Sequence, residues 1–204
     1  MKPNLKKQQG SIVYVLIIAM AIAASVLAMH FQTLGQISAN DIAQQRLLQV
    51  LETKKATINE ALMNGQSWLY TMQASAPDSS YGTASNSNLT NCTNSPSYAC
   101  STTPFNIVLA NSENTVLNFI SSGTGTRGFD RTGAACNNYS AAGNADCPFR
   151  YVLQVVADCS MAGVGAVTCS QPYRLLVTAN LEFSANSYVS YQIKASKYSF
   201  TVEK

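Results

Sequence analysis

Eighteen consecutive residues, Ile12 to Met29, are apolar except for Tyr14 and Ser25, and no formally charged residue lies between Lys7 and Asp41. As a helix this run is about 27 Å long, against a hydrocarbon thickness of roughly 30 Å. Within lipid a helix satisfies every backbone polar group inside one segment, so the run predicts a membrane-spanning helix near the lower limit of length. Lys2, Lys6 and Lys7 all precede it, which favours the N-terminus inside and the bulk of the chain outside. His30, the single histidine, falls at the outer edge of the span, where an interfacial polar role is expected.

Those same lysines account for the whole net charge. The 204 residues carry 13 Lys and Arg against 10 Asp and Glu, a formal +3. With the three N-terminal lysines set aside, residues 11–204 hold ten basic and ten acidic groups. Charged residues make up 11% of the chain, less than half the roughly 25% of soluble domains. No basic stripe is available to neutralise phosphates, so nucleic acid is not an expected partner. A hydrophobic share of 47% is that of a folded chain, and the length suits one domain plus an appendage.

Two processing routes fit the N-terminus. In one, a secretory signal peptide is removed, with Val26 and Ala28 at the small-residue positions before a cut ahead of Met29. In the other, only the basic leader 1–10 is lost and the apolar helix stays. Gly10, placed directly against the apolar run, favours the second. A signal peptide does not require that glycine, and its apolar region is typically about 7–15 residues.

The segment Gln8-Gln9-Gly10-Ser11, followed at once by the apolar helix, resembles the class III signal peptide of type IV pilins and pseudopilins. The resemblance covers roughly the first 35 residues. It implies a prepilin peptidase that cuts between Gly10 and Ser11 and methylates the new N-terminus. It also implies other pilin or pseudopilin subunits as partners through the apolar helix. Major pilins of this family usually carry Glu as the fifth mature residue, where it pairs with the N-terminal amine of a neighbouring subunit. Here that position is Val15. The resemblance therefore points to a minor pilin or pseudopilin rather than to a repeating major subunit.

Helical patterning continues to Pro77 without a proline. Leu48, Leu51, Ile58, Leu62, Leu69 and Met72 recur at three- and four-residue steps, with Lys55 and Gly65 in the two remaining positions. Arg46, Glu52, Lys54 and Glu60 take other faces, as for solvent. Unbroken from Ile12 to Gln73, the helix would run about 93 Å, and Gly35 is a candidate bend because a helical glycine costs about 1 kcal/mol relative to Ala. The expected organisation is a leader (1–10), a membrane or filament-core helix (11–31), an amphipathic continuation (32–73) and an external region (74–204). A membrane helix followed by a separate stalk is the alternative.

From Ala74 to Thr103 the composition turns to Ser, Thr, Asn, Gly, Pro and Ala, which reads as a long irregular connection. Phe105–Leu109 reads as a strand, Ser112–Ile120 as a short helix, and Gly123–Gly128 as a turn. The clearest strands are Phe149–Ala157, Tyr173–Phe183 and Tyr188–Val202, rich in Val, Tyr, Thr and Ile, with a turn around Asn186. Short links imply an antiparallel meander. A single sheet needs a covering layer, and the amphipathic helix Arg46–Met72 can supply it. The predicted fold class is α+β, a long N-terminal helix packed on a C-terminal antiparallel sheet. The resemblance implies the same shape, a pilin-like roll.

Six cysteines, Cys92, Cys100, Cys136, Cys147, Cys159 and Cys169, all lie beyond the apolar segment. Fifteen pairings are possible, and the spacings suggest sequential neighbours: Cys92–Cys100, Cys136–Cys147 and Cys159–Cys169. No CxxC pair exists and the single His is distant in sequence, so disulfides in an oxidising space are favoured over zinc. Asp130, Asp146, Asp158 and Glu182 are scattered, with turn-capping the expected role, and Gly123–Gly128 lacks a GK[ST] phosphate loop. No catalytic, metal or cofactor site is expected. The reading is a filament subunit held first in the inner membrane with an external, periplasmic domain, then carried to the pilus or cell surface. A membrane-tethered binding or adhesion domain and a secreted domain are the rivals.

Overall fold

A computed structural model describes residues 6–82, 86–94, 100–160, 168–169, 172, 174–185 and 193–204. The chain divides into two compact units, Met1–Arg46 and Leu47–Lys204. It is α+β. Helix α1 spans Lys6–Met63 and continues through Gly35 without a break in its assignment. Helix α2 (Gly65–Gln73) follows after one residue.

That one residue, Asn64, explains why the helix does not run unbroken to Gln73. Its backbone is extended (φ −77°, ψ 121°), and its Oδ1 accepts from the N–H groups of Gln66 and Ser67 at 2.9 and 3.1 Å. The side chain thereby satisfies two of the orphan donors at the start of α2. The break also changes which residues face inward. Leu51, Ile58 and Leu62 of α1 are fully buried and Leu48 is half-buried. In α2, Ser67 and Thr71 are buried, Trp68 and Met72 pack against the core, and Leu69 is 44% exposed. The expected stripe is thus kept through Leu62 and lost at Leu69. Lys54 is also not a simple solvent residue. Its ammonium sits 4.3 Å from the Phe119 ring centroid, a cation over an aromatic face.

Gly65, the first residue of α2, has no steric need to be glycine, since a Cβ there would meet nothing within 4 Å. Gly65→Ala should therefore stabilise the fold by about 0.5–1 kcal/mol, through a less flexible unfolded chain. Thermal unfolding of the full chain in detergent would register this as a rise of roughly 1–4 °C. A fall would mean that the helix junction needs the glycine.

The described residues of the region 74–103 include regular elements that its composition does not suggest. It contains a 3₁₀ turn (Ser79–Tyr81), helix α3 (Ser87–Asn94) and the short strand β1 (Cys100–Ser101). Asn86 anchors it from a buried position, donating to the carbonyls of Thr71 and Val108 and accepting from Val108 N–H at 2.9 Å. Leu89 of α3 is fully buried. One amide thus ties the start of α3 to two separate backbone segments, at Thr71 and at Val108.

The remaining strands are β2 (Phe105–Ile107), β3 (Gly128–Phe129), β4 (Ala135–Cys136), β5 (Phe149–Asp158), β6 (Thr168–Cys169), β7 (Arg174–Phe183) and β8 (Phe200–Glu203). The main sheet is antiparallel, in the order β4-β3-β5-β7-β8, with β2 also paired to β5. Strand β5 is its spine and pairs with β7 over all ten residues, from Phe149↔Phe183 to Asp158↔Arg174. Strands β5, β7 and β8 lie side by side in antiparallel order, as expected, with the short β6 between β5 and β7 in sequence. Leu51, Ile58 and Leu62 join Phe129, Phe149, Tyr151, Leu153, Val155 and Val177 in one core, so the second half of α1 covers the sheet.

Strand β3 enters this core through a close approach at Gly128, where a Cβ would lie 2.3 Å from the Phe149 carbonyl oxygen. Only glycine lets two backbones come so near.

Two expected elements differ. Ser112–Ile120 is not a helix. Asn111 Oδ1 accepts from the N–H groups of Glu113 and Thr115, Asn114 takes a left-handed φ of 59°, and Ala110 bridges to Val116. An Asn side chain competing for these donors favours a turn over a helix. Tyr188–Val202 is not one strand either. Residues 195–197 form a 3₁₀ turn, Ser199 Oγ accepts from Leu181 N–H at 3.1 Å, and pairing begins at Phe200. The turn expected at Asn186 and the start of that strand lie outside the described residues.

Candidate functional site

The first candidate is the surface of α1 within residues 13–42. Its large apolar side chains are between 48% (Val26, Ile42) and 72% (Tyr14, Phe31) exposed. Burying each such side chain is worth roughly 1.5–3 kcal/mol, so an uncovered run of this size is a surface suited to an apolar environment. The helix is long and apolar enough to cross a membrane. Its hydroxyls are compatible with that setting. Ser25 donates to the Ile22 carbonyl and Thr33 to the Met29 carbonyl, each at 2.8 Å, leaving neither hydroxyl without a bond. Val15, the fifth residue after Gly10, is 64% exposed on this surface and offers no carboxylate. Gly10 and Ser11 lie inside the span of α1. His30 is exposed.

The second candidate is the disulfide-bearing part of the α+β unit. The bonds are Cys92–Cys100, Cys136–Cys147 and Cys159–Cys169, the pairs suggested by spacing. Two of them are neighbours in space. Cys100 and Cys169 face each other across the antiparallel pair β1–β6, and Cys159 Sγ lies 3.8 Å from the Cys100 carbonyl oxygen. The Cys92–Cys100 and Cys159–Cys169 bonds are therefore held side by side as one block. Beside it, Asn88, Asn91, Cys92, Ser101, Thr103, Pro104 and Phe105 line a cavity of about 300 Å³.

The scattered carboxylates do not converge on a common point among the described residues. Burial alone would raise Asp130, but bonds from the Thr132 side chain and from the N–H groups of its own turn outweigh it and hold the carboxyl below its ordinary range. Asp158 is held low by the Ser160 N–H and side chain and by the Arg174 guanidinium at 2.8 Å. Glu182 pairs with Arg150. Asp146 is exposed. Among the described residues, no group of three or more His, Cys, Asp or Glu side chains is placed to hold a metal ion.

Sequence reasoning passed over Arg150, which the structure makes the most heavily bonded side chain on the sheet. It is 5% exposed, meets Glu182 across β5–β7, and donates to the carbonyls of Ser122, Gly123 and Gly125 at 3.3, 3.1 and 2.7 Å. Its guanidinium carbon lies 4.3 Å from the Tyr139 ring centroid. The available signal was an arginine inside an otherwise apolar strand opposite a glutamate at matching register.

No family model, curated protein or solved structure matches this chain.

Proposed function

We propose that the chain is a minor pilin or pseudopilin, a structural subunit of a type IV pilus or a type II secretion-like filament. The observation that carries this reading is the continuity of α1. One helix, Lys6–Met63, includes Gly10–Ser11, the exposed apolar run and the buried residues Leu51, Ile58 and Leu62. A detachable signal sequence has no need to share a helix with the core of the domain it delivers. A subunit that is first membrane-anchored and then packs helix against helix does need it. The role is mechanical rather than catalytic: α1 packs against other subunits, and the disulfide-bearing unit is displayed. Before assembly it sits as a single-pass protein of the inner membrane with its α+β unit in the periplasm. With Val15 at the fifth mature position, a place at the tip or in assembly priming suits it better than the shaft, since a valine cannot pair with a neighbour's amine in an apolar core.

The mass of the mature N-terminus tests the proposal. A methylated Ser11 is expected, produced by a prepilin peptidase. Met29 at the terminus would overturn it in favour of a secreted domain, and an intact Met1 in favour of a membrane-tethered binding domain. Gly10→Ala should leave essentially all of the chain unprocessed, seen as retention of the leader on a gel or by mass. Processing that continues unchanged in that variant would count against a peptidase that reads the glycine.

A further inference from the structure

The cavity beside the disulfide block has a polar lining that the fold uses only in part: Ser101 Oγ accepts from the Thr103 N–H at 2.9 Å. Other asparagine side chains are spent on structure: Asn86 on Thr71 and Val108, Asn111 on its own turn, Asn64 on the start of α2. Asn88 and Asn91 are not. They stand one turn apart on α3, both line the cavity, and their amides enter no hydrogen bond among the described residues. Each amide offers two donors and an acceptor in a planar array. Thr103 and Ser101 add hydroxyls, and the half-buried Phe105 adds an aromatic ring beside Pro104.

The electrostatics narrow the ligand. None of the seven lining residues is charged. From Ser79 to Ser112 the chain has no Asp, Glu, Lys or Arg, while 19 of these 34 residues are Ser, Thr or Asn. An anion or cation entering such a site would lose hydration without meeting an opposite charge. A purely apolar ligand would make no use of the two amides. What fits is a neutral molecule carrying adjacent hydroxyls and one apolar face. The hydroxyls can take the paired amide donors and acceptors, and the apolar face can lie on the Phe105 ring. The volume, about 300 Å³, is at the small end of ligand pockets and admits a single sugar ring rather than a folded partner.

The site is also held in shape before any ligand arrives. Cys92 is itself part of the lining and is bonded to Cys100, which pairs through β1–β6 with Cys169. Leu89 of the same helix is fully buried, so the face carrying Asn88 and Asn91 is fixed from behind. Binding therefore costs little ordering of the protein.

We infer that this cavity is a carbohydrate-binding site for a neutral sugar residue, with Asn88 and Asn91 as the hydrogen-bonding pair and Phe105 as the stacking face. It stands independently of the filament reading, because nothing in it depends on how the N-terminus is processed.

The test uses the full chain, oxidised and held in a detergent without a sugar headgroup. Saturation-transfer NMR with galactose, glucose, mannose and N-acetylglucosamine should detect at least one, with N-acetylneuraminic acid as the charged comparison. The joint substitution of Asn88→Ala and Asn91→Ala should weaken that binding by roughly tenfold or more. Phe105→Leu, which keeps an apolar side chain against the core, should weaken it as well. Each variant is compared at an unchanged melting temperature, so lost binding is not lost folding. The inference is overturned if none of the four neutral sugars binds, if the acidic sugar binds as well as they do, or if binding survives loss of both amides.

Discussion

Arg150→Met should destabilise the α+β unit by about 3–5 kcal/mol, the loss typical when one member of a buried ion pair is removed. Methionine matches much of the arginine's length and apolar volume, so the effect is one of bonding and not of a cavity. The carbonyls of Gly123 and Gly125 lose the guanidinium donor, that of Ser122 keeps the Gly125 N–H, and Glu182 on β7 loses its partner. Because the Glu182 side chain is 39% exposed, its carboxylate can turn to water, which places the expected value near the low end. Urea unfolding of the oxidised chain measures it. Arg150→Lys should recover only part, because an ammonium is a compact charge and cannot reproduce the guanidinium fork that reaches Glu182 and three carbonyls together. Amide exchange should rise first at residues 122–127, the segment the guanidinium holds against β5. An Arg150→Met chain within about 1 kcal/mol of wild type would mean the loop is held by other contacts.

The second large effect concerns the joint between helix and sheet. Ile58→Ala should cost about 2–5 kcal/mol, since Ile58 has no exposed surface and its removed atoms leave a void against the sheet. Against a total stability of order 5–15 kcal/mol this is a large fraction. Leu69→Ala is the informative comparison. Period alone puts Leu69 on the same stripe, yet it is 44% exposed on α2, and its replacement should change stability by no more than about 0.5 kcal/mol. Equal losses at both positions would mean that α2 does not turn at Asn64 in solution.

What could be read in the sequence follows from how local each signal is. The apolar helix, the buried stripe through Leu62 and strands β5 and β7 announce themselves by period, because each element's pattern comes from its own residues. The disulfide pairs follow from loops too short to favour other partners. Three of the failures share one cause. At Asn64, Asn86 and Asn111 a single amide takes backbone groups away from the regular ladder, ending a helix, ordering a segment that reads as irregular, or turning a helix-like stretch into a turn. Nothing in composition tells a capping asparagine from a solvent one. Arg150 was hidden for a related reason: its partners are loop carbonyls, and carbonyls are present at every residue. The cavity was invisible because it needs α3 and β2 together.

The disulfide pattern has a consequence for how the protein is made. The three bonds close segments of 8, 11 and 10 residues, and none encloses or crosses another. As the chain emerges N-terminus first, each cysteine of a pair meets its correct partner before the next pair appears. An oxidant acting on the arriving chain therefore makes the native set in order, and a separate enzyme to reshuffle wrong pairs is not required. All three bonds can be closed by the time the strand β8 reaches β7.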